Sequence, residues 1–239
     1  MSKYLEIPNE TAIIKLVQEN PKKDFNLLDI GCNTGYNIQR IHEIFPEATY
    51  YGCDIDQEAI ESARQKAIGS KNIFYTICDL DSDFPLDYWN PFKNQKCDFV
   101  LCLDVLEHLK DPYSLLRKIR TYLHKDSTII ANIPNILHYS VLKQMIVEGE
   151  FKYTETGLLD NTHIRFFTPS SIYELFKSCD YYNISVYPLI ANPGYIPPDD
   201  DFVNSLKEIR KKYAPEAFLD YNEFNYFTIM ITAKPFFGF

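Results

Sequence analysis

Apolar positions along the chain follow two alternating periods. From Thr11 to Glu19 (TAIIKLVQE) they fall at helical spacing and stop at a Pro-Lys-Lys break, which predicts a leading helix. Short apolar runs then alternate with helical patterns: strand 26–31, helix 36–44, strand 49–54, helix 57–66 and strand 72–78. Cys97–Leu103 (CDFVLCL) is apolar except at Asp98, as in a strand covered on both faces. A helix over 113–123 and a strand over 127–133 (STIIANI) follow. This alternation predicts an α/β fold, a parallel sheet wrapped by helices on both faces. After Pro134 the pattern loosens. Residues 135–168 hold a helix-like piece (SVLKQMIVEGE) and the turn-rich TETGLLDNTHIRFFTP. A helix over 170–179, a strand over 182–190, a second interruption (NPGYIPPDDDF), a charged helix over 203–213 and a last strand over 224–233 complete the chain. The two interruptions, about 135–168 and 191–223, stand where a substrate cap could be added to a cofactor-binding sheet.

Length and composition narrow the class. With 239 residues, 46% hydrophobic and 24% charged, the chain suits a single domain over 1–239 with sizeable insertions. No apolar run approaches the roughly 18 residues that cross a membrane, and MSKYLEIPNE lacks the basic flank and apolar core of a secretion signal. A soluble, cytoplasmic chain with no membrane partner is expected. Lys+Arg 24 against Asp+Glu 33 leaves a net charge of -9, which disfavours nucleic acid and leaves a small molecule as the expected partner. The six cysteines show no C-x-x-C pair and read as buried thiols. The 18 Tyr and 17 Phe suit core, interface or a pocket wall.

The sharpest local signal is Leu27–Tyr36, LLDIGCNTGY, a strand running into a glycine turn before a helix. A dinucleotide fingerprint needs G-x-G-x-x-G so that a pyrophosphate can approach the helix end. Here Asn33 replaces the middle glycine and the third is absent, which disfavours a nicotinamide or flavin cofactor. S-adenosylmethionine, another user of such turns, has no phosphate and ends in an amine and a carboxylate. An acid at Asp29 suits that end, and Asn33 tolerates the positive φ of a tight turn better than most residues.

From about Leu27 to Ala233 the chain resembles the class I S-adenosylmethionine-dependent methyltransferases. The resemblance implies a Rossmann-like doubly wound sheet of seven strands, mostly parallel with the last antiparallel. It assigns Asp29, Gly31, Asn33 and Gly35 to the methionine end of the cofactor. Asp54, closing the second strand in YGCDID, would hold the ribose hydroxyls, while Asp56 reads as a helix N-cap. Asp79 and Leu80 would border the adenine, and Leu103 would lie against the methionine.

Acceptor chemistry is less explicit. A hydroxyl must lose its proton, and histidine suits that step. His42 and His124 read as helical residues away from the cleft, and His138 as either a pocket or a loop residue. His163, in LDNTHIRFFT, is the candidate base; a loop role, satisfying carbonyls, is the alternative. Arg165 could grip a phosphate or carboxylate of the acceptor, or pair with Asp160. Asp104, Glu107 and His108 followed by His163 also resemble the divalent-metal set of small-RNA terminal methyltransferases and some quinone O-methyltransferases, with Asp104 where the RNA enzymes have Glu. IPN (Ile133–Asn135) and GLLDNTHIRFFT (Gly157–Thr168) are similar to bacterial methyltransferases associated with surface-polysaccharide biosynthesis. The expected function is O-methylation of a small hydroxylated acceptor such as a sugar or nucleotide-sugar. The alternatives are metal-assisted methylation of a quinol-like or RNA-end diol, and a non-catalytic S-adenosylmethionine-binding module.

Overall fold

The computed structural model describes residues 8–19, 21–82, 96–189, 201–214 and 222–238. The stretch read for a secretion signal and much of the second interruption lie outside them. Seven strands form one sheet in the order β3-β2-β1-β4-β5-β7-β6. They are β1 Asn26–Ile30, β2 Thr49–Asp54, β3 Ile73–Ile77, β4 Cys97–Leu103, β5 Leu123–Pro134, β6 Tyr181–Leu189 and β7 Thr228–Pro235. The pairings from β3 through β5 are parallel, and β7 runs antiparallel to both neighbours. The expected Rossmann-like sheet is therefore present, antiparallel last strand included.

Side-chain alternation along the strands accounts for the two helical layers. Leu27, Phe99, Leu101 and Ile130 pack on one face with α1 (Glu10–Gln18), α2 (Tyr36–Ile44) and α3 (Gln57–Lys66). Leu28, Ile30, Val100, Ile129 and Ala131 pack on the other with α4 (Pro112–Arg120) and α6 (Pro169–Ser178). Residues two apart share a face, so runs such as β4 must be apolar almost throughout. The chain steps outward from β1 to β2 and β3, then crosses back from β3 to β4 on the other side of β1. In open α/β sheets that reversal opens a crevice at the carboxyl ends of the strands.

The loosely patterned region departs most from expectation. The helix-like SVLKQMIVEGE is α-helical only over α5 (Tyr139–Lys143), then widens into a π turn over Gln144–Glu148 and stops at Gly149, φ +70°. Helix α4 ends at Arg120, and β5 begins already at Leu123, paired with Cys97 before a register shift to Thr128 opposite Phe99. His124 is thus a strand residue, not a helical one, with Nε2 3.1 Å from Asp98. The last strand starts at Thr228, because Glu223–Asn225 forms a 3-10 turn, not the predicted strand. α7 (Asp201–Tyr213) is anchored where Arg210 meets the buried Glu223 at 2.7 Å, and Asn135 donates to the carbonyls of Glu223 and Tyr226 at 2.8 Å each. All six cysteines are buried thiols.

Candidate functional site

A cleft of about 420 Å³ runs across the carboxyl ends of β3, β2, β1 and β4. Its floor is the glycine turn. Gly31 (φ +70°), Asn33 (φ +49°) and Gly35 (φ +79°) all occupy the left-handed region that disfavours a side chain. A Cβ at Gly31 would stand 2.5 Å from Val105 Cγ2, and one at Gly35 would run into the Tyr75 hydroxyl. Asn33 bears the left-handed geometry by using its side chain: Oδ1 accepts the Thr34 N–H at 2.7 Å.

Two carboxylates serve this end. Asp29 lies beneath the turn, 1% exposed, and neither carboxylate oxygen has a well-formed hydrogen bond among the described residues. Burial, and secondarily the charge of Asp54, push its pKa up to about 8, with the approaching Asn37 side chain offsetting the rise only in part. Asp54 lines the cleft and accepts N–H bonds from Asn33 at 2.8 Å and Asp56 at 3.0 Å, so it braces the turn while facing the cavity. Asp56 is the N-cap of α3, accepting from Glu58 and Ala59. Asp79, Leu80 and Leu103 all border the same cleft. Asn9, Tyr36 and Asn37 also line it; Asn9 arrives from the N-cap of α1, its N–H held by Asn37 Oδ1 at 2.8 Å. Tyr36 and Asn37 open α2 directly after the glycine turn, whereas no spacing motif marks Asn9, which reaches the site from a separate helix.

At the β4 end the chain turns sharply. Asp104 has φ +55°, and its Oδ1 accepts from Asn132 Nδ2 at 2.7 Å. The residue is exposed at the cleft surface, and desolvation by the surrounding protein raises its pKa to about 6. A 3-10 turn, Leu106–His108, follows. Glu107 is 1% exposed with both carboxylate oxygens unpartnered among the described residues; burial, then the neighbouring Asp104, shifts its pKa well upward. Its carbonyl accepts the N–H groups of Ile164 and Arg165 at 2.9 and 3.0 Å, which clamps the distant LDNTHIRFFT segment onto the end of β4.

That clamp brings His163 to His108, with ring centroids 4.9 Å apart and edge to face. His108 lines the cleft and directs Nδ1 toward the Thr162 carbonyl at 3.2 Å. His163 is buried behind it, with Nδ1 3.2 Å from the Leu158 carbonyl, and burial lowers its pKa. One ligand-capable atom each from Glu107, His108 and His163 lie within 4.8 Å of one another. Three of the four metal candidates are thereby brought together; Asp104, held by Asn132, lines the same cleft but is not among the converging donors. Arg165 donates to the Lys110 carbonyl, while Asp160 Oδ1 is held by Thr162 instead. His138 is the buried N-cap of α5, packed on Phe227, and burial lowers its pKa to about 4.

A family model described as a methyltransferase domain matches residues 4–186. Malonyl-[acyl-carrier protein] O-methyltransferase 1 of Ilyobacter polytropus is 24% identical over 144 residues, covering 59% of this chain and 51% of the relative. Ubiquinone biosynthesis O-methyltransferase of Haemophilus ducreyi is 26% identical over 156 residues, covering 64% and 62%. The chain thus spans between half and two thirds of these relatives' own length. The magnesium protoporphyrin IX methyltransferase of Synechocystis PCC 6803 with bound SAH superposes with a TM-score of 0.59, covering 95% of this chain and 81% of that one at 17% identity. That likeness establishes the fold alone.

Proposed function

The chain belongs to the methyltransferase-domain family, and from that premise we propose that it binds S-adenosylmethionine and methylates a hydroxyl of a small acceptor. One observation carries the reading: a single cleft borders both the glycine turn with Asp54 and the Asp104–His108 end, so donor and acceptor groups share one chamber. The turn fits the cofactor's methionine end, because Asp29 is a buried carboxylate in want of a cation and the positive-φ Gly31 and Gly35 leave no side chain on the turn, where one would collide with Val105 or Tyr75. S-adenosylmethionine supplies a sulfonium methyl group open to in-line attack. The chain's residues then have to bind, align and exclude water. Asp54 receives ribose hydroxyls, Asp79 and Leu80 border the adenine, and Leu103 packs against the methionine.

Proton removal from the acceptor falls to the histidine pair. His108 faces the cleft and His163 stands behind it as its relay; lowered basicity keeps His163 neutral and able to accept a proton near pH 7. Exposed Arg165 stays in place as a grip for an acidic substituent. The acceptor class remains a hydroxylated small molecule, sugar derivatives included. Loss of calorimetric S-adenosylmethionine binding by well-folded protein would sink the whole reading.

A second reading is favoured by the orphaned Glu107. One carboxylate and two imidazoles whose donor atoms converge within 4.8 Å suit a divalent cation. Glu107, His108 and His163 would hold it with Asp104 adjacent, and it would supply Lewis acidity to adjacent acceptor hydroxyls. Turnover measured with a chelator, then with added magnesium or manganese, separates the two readings. Loss and restoration support the cation; indifference leaves the histidine relay.

A further inference from the structure

A strip of exposed apolar side chains runs outward from the acceptor end. It begins at exposed Ile164, next to His163 and tied by its N–H to the Glu107 carbonyl. Phe166 continues it, meeting Phe151 edge to face at 5.4 Å and Tyr153 at 6.2 Å; both of those rings are substantially exposed. The Phe151 segment is fastened to the π turn, since the N–H groups of Glu150 and Lys152 donate to the Gln144 carbonyl and Oε1. On that turn Met145, Ile146 and Val147 are exposed in succession, Ile146 at 63% and Val147 at 62%. Scattered surface apolar residues need no explanation, but a run of this kind joined to a reactive end does.

The charge around the strip narrows the occupant. Across 143–165 the basic residues are Lys143, Lys152 and Arg165, against Glu148, Glu150, Glu155 and Asp160. An anionic membrane surface would select a basic excess, and there is none. The strip instead begins one residue after His163, whose ring meets that of the cleft-lining His108. The geometry points to an amphipathic acceptor: a hydroxylated head group entering beside His108, carrying an apolar chain that lies along Ile164, Phe166, Phe151 and the Ile146–Val147 turn. This rests on the acceptor site proposed above and names the class of molecule that fills it.

The test is a ladder of 4-alkylcatechols from ethyl to hexyl, titrated calorimetrically into the full chain saturated with S-adenosylhomocysteine. Binding is the readout, so no turnover is required. Full burial of a methylene is worth about fourfold in affinity and an open surface covers about half of it, so Kd should fall by about twofold per methylene. The double variant Ile146→Asp/Val147→Asp, on exposed positions, should bring the hexyl-to-ethyl ratio toward one; Phe151→Ala should lower it independently. Equal affinity along the ladder, or an unchanged ratio in both variants, would overturn the inference. So would self-association or co-sedimentation with phosphatidylcholine vesicles that the double variant abolishes, since the strip would then belong to a second copy or to a bilayer. A ladder that binds with the expected slope but is never methylated leaves the inference standing and counts against the methyl-transfer reading. Methylation without length dependence does the reverse.

Discussion

Asp29 and Glu107 are both buried carboxylates without a well-formed partner among the described residues, and both have their pKa raised by burial. Their surroundings differ. Asp29 lies under a turn whose shape is set by backbone conformation, with Gly31, Asn33 and Gly35 at positive φ and Asp54 bracing it from the next strand. Glu107 lies among imidazoles contributed by its own turn and by a distant loop that its carbonyl helps to fasten. An acid beneath a turn free of side chains is suited to a fixed cationic group of a bound molecule. An acid among imidazoles is suited to sharing a proton or a cation, which is what an acceptor hydroxyl requires. On the function proposed above, the first acid belongs to the end of the cleft that holds the cofactor and the second to the end that reacts.

The largest expected effect tests that division. Glu107→Gln should lower kcat by about 10²- to 10⁴-fold, the usual range for a group serving proton transfer, while calorimetric affinity for S-adenosylmethionine moves by less than about twofold. A loss of cofactor affinity as large as the loss of turnover would merge the two ends into one. Asp29→Asn should act in the opposite sense. Removing the carboxylate beneath the turn should weaken S-adenosylmethionine by about 10- to 100-fold, the effect of losing a charged interaction of roughly 1.5–3 kcal/mol. Asp54→Ala should cost at least about tenfold on the same grounds and also release the Asn33 and Asp56 N–H groups. Asp54→Asn, which keeps one acceptor oxygen, should recover part of that loss; no recovery would move the ribose site elsewhere.

The same contrast explains what could be read from the chain. At the holding end, sequence neighbours are spatial neighbours: strand, turn and helix follow one another, and the successive strand ends at Asp54, Asp79 and Leu103 all face one cleft. Periodicity placed the strands there, whose parallel run leaves their carboxyl ends on one edge, and the resemblance singled out the residues at those ends. The reacting end joins residue 107 to residues 164 and 165 through two N–H bonds to one carbonyl, and no local pattern encodes that closure. A resemblance of motifs pointed to Glu107, His108 and His163; spacing alone would not have paired them. The π turn after α5 was illegible for a further reason, since its apolar residues at helical spacing face outward, not into the core.

A pH series sharpens the comparison with a smaller effect. The folded pKa of Asp29, about 8, stands above the ordinary 3.8, so the unliganded fold takes up a proton there and loses this contribution to stability as pH rises through that interval. Cofactor binding asks for the charged form. Affinity should therefore tighten from pH 6 toward 8 and level off above it, by up to about tenfold per pH unit well below 8. Asp29→Asn should flatten the profile, whereas Glu107→Gln should leave it in place. A profile that stays steep in Asp29→Asn would assign the titration to another group.

The smallest effect probes the scaffold between the two ends. His138 caps α5 and packs on Phe227, and burial lowers its pKa from 6.5 to about 4. The unfolded chain then binds the extra proton between those values, so stability is fully present above about pH 6.5 and is lost as pH falls toward 4. Between pH 7 and 5.5 the loss should be about 1 kcal/mol, read as a lower urea midpoint. His138→Asn keeps a good N-cap residue without a titrating ring, and should lower stability at pH 7 through lost packing while removing this share of the pH slope. An undiminished slope in that variant would place the proton uptake elsewhere, with the carboxylates at the two ends of the cleft the next groups to replace.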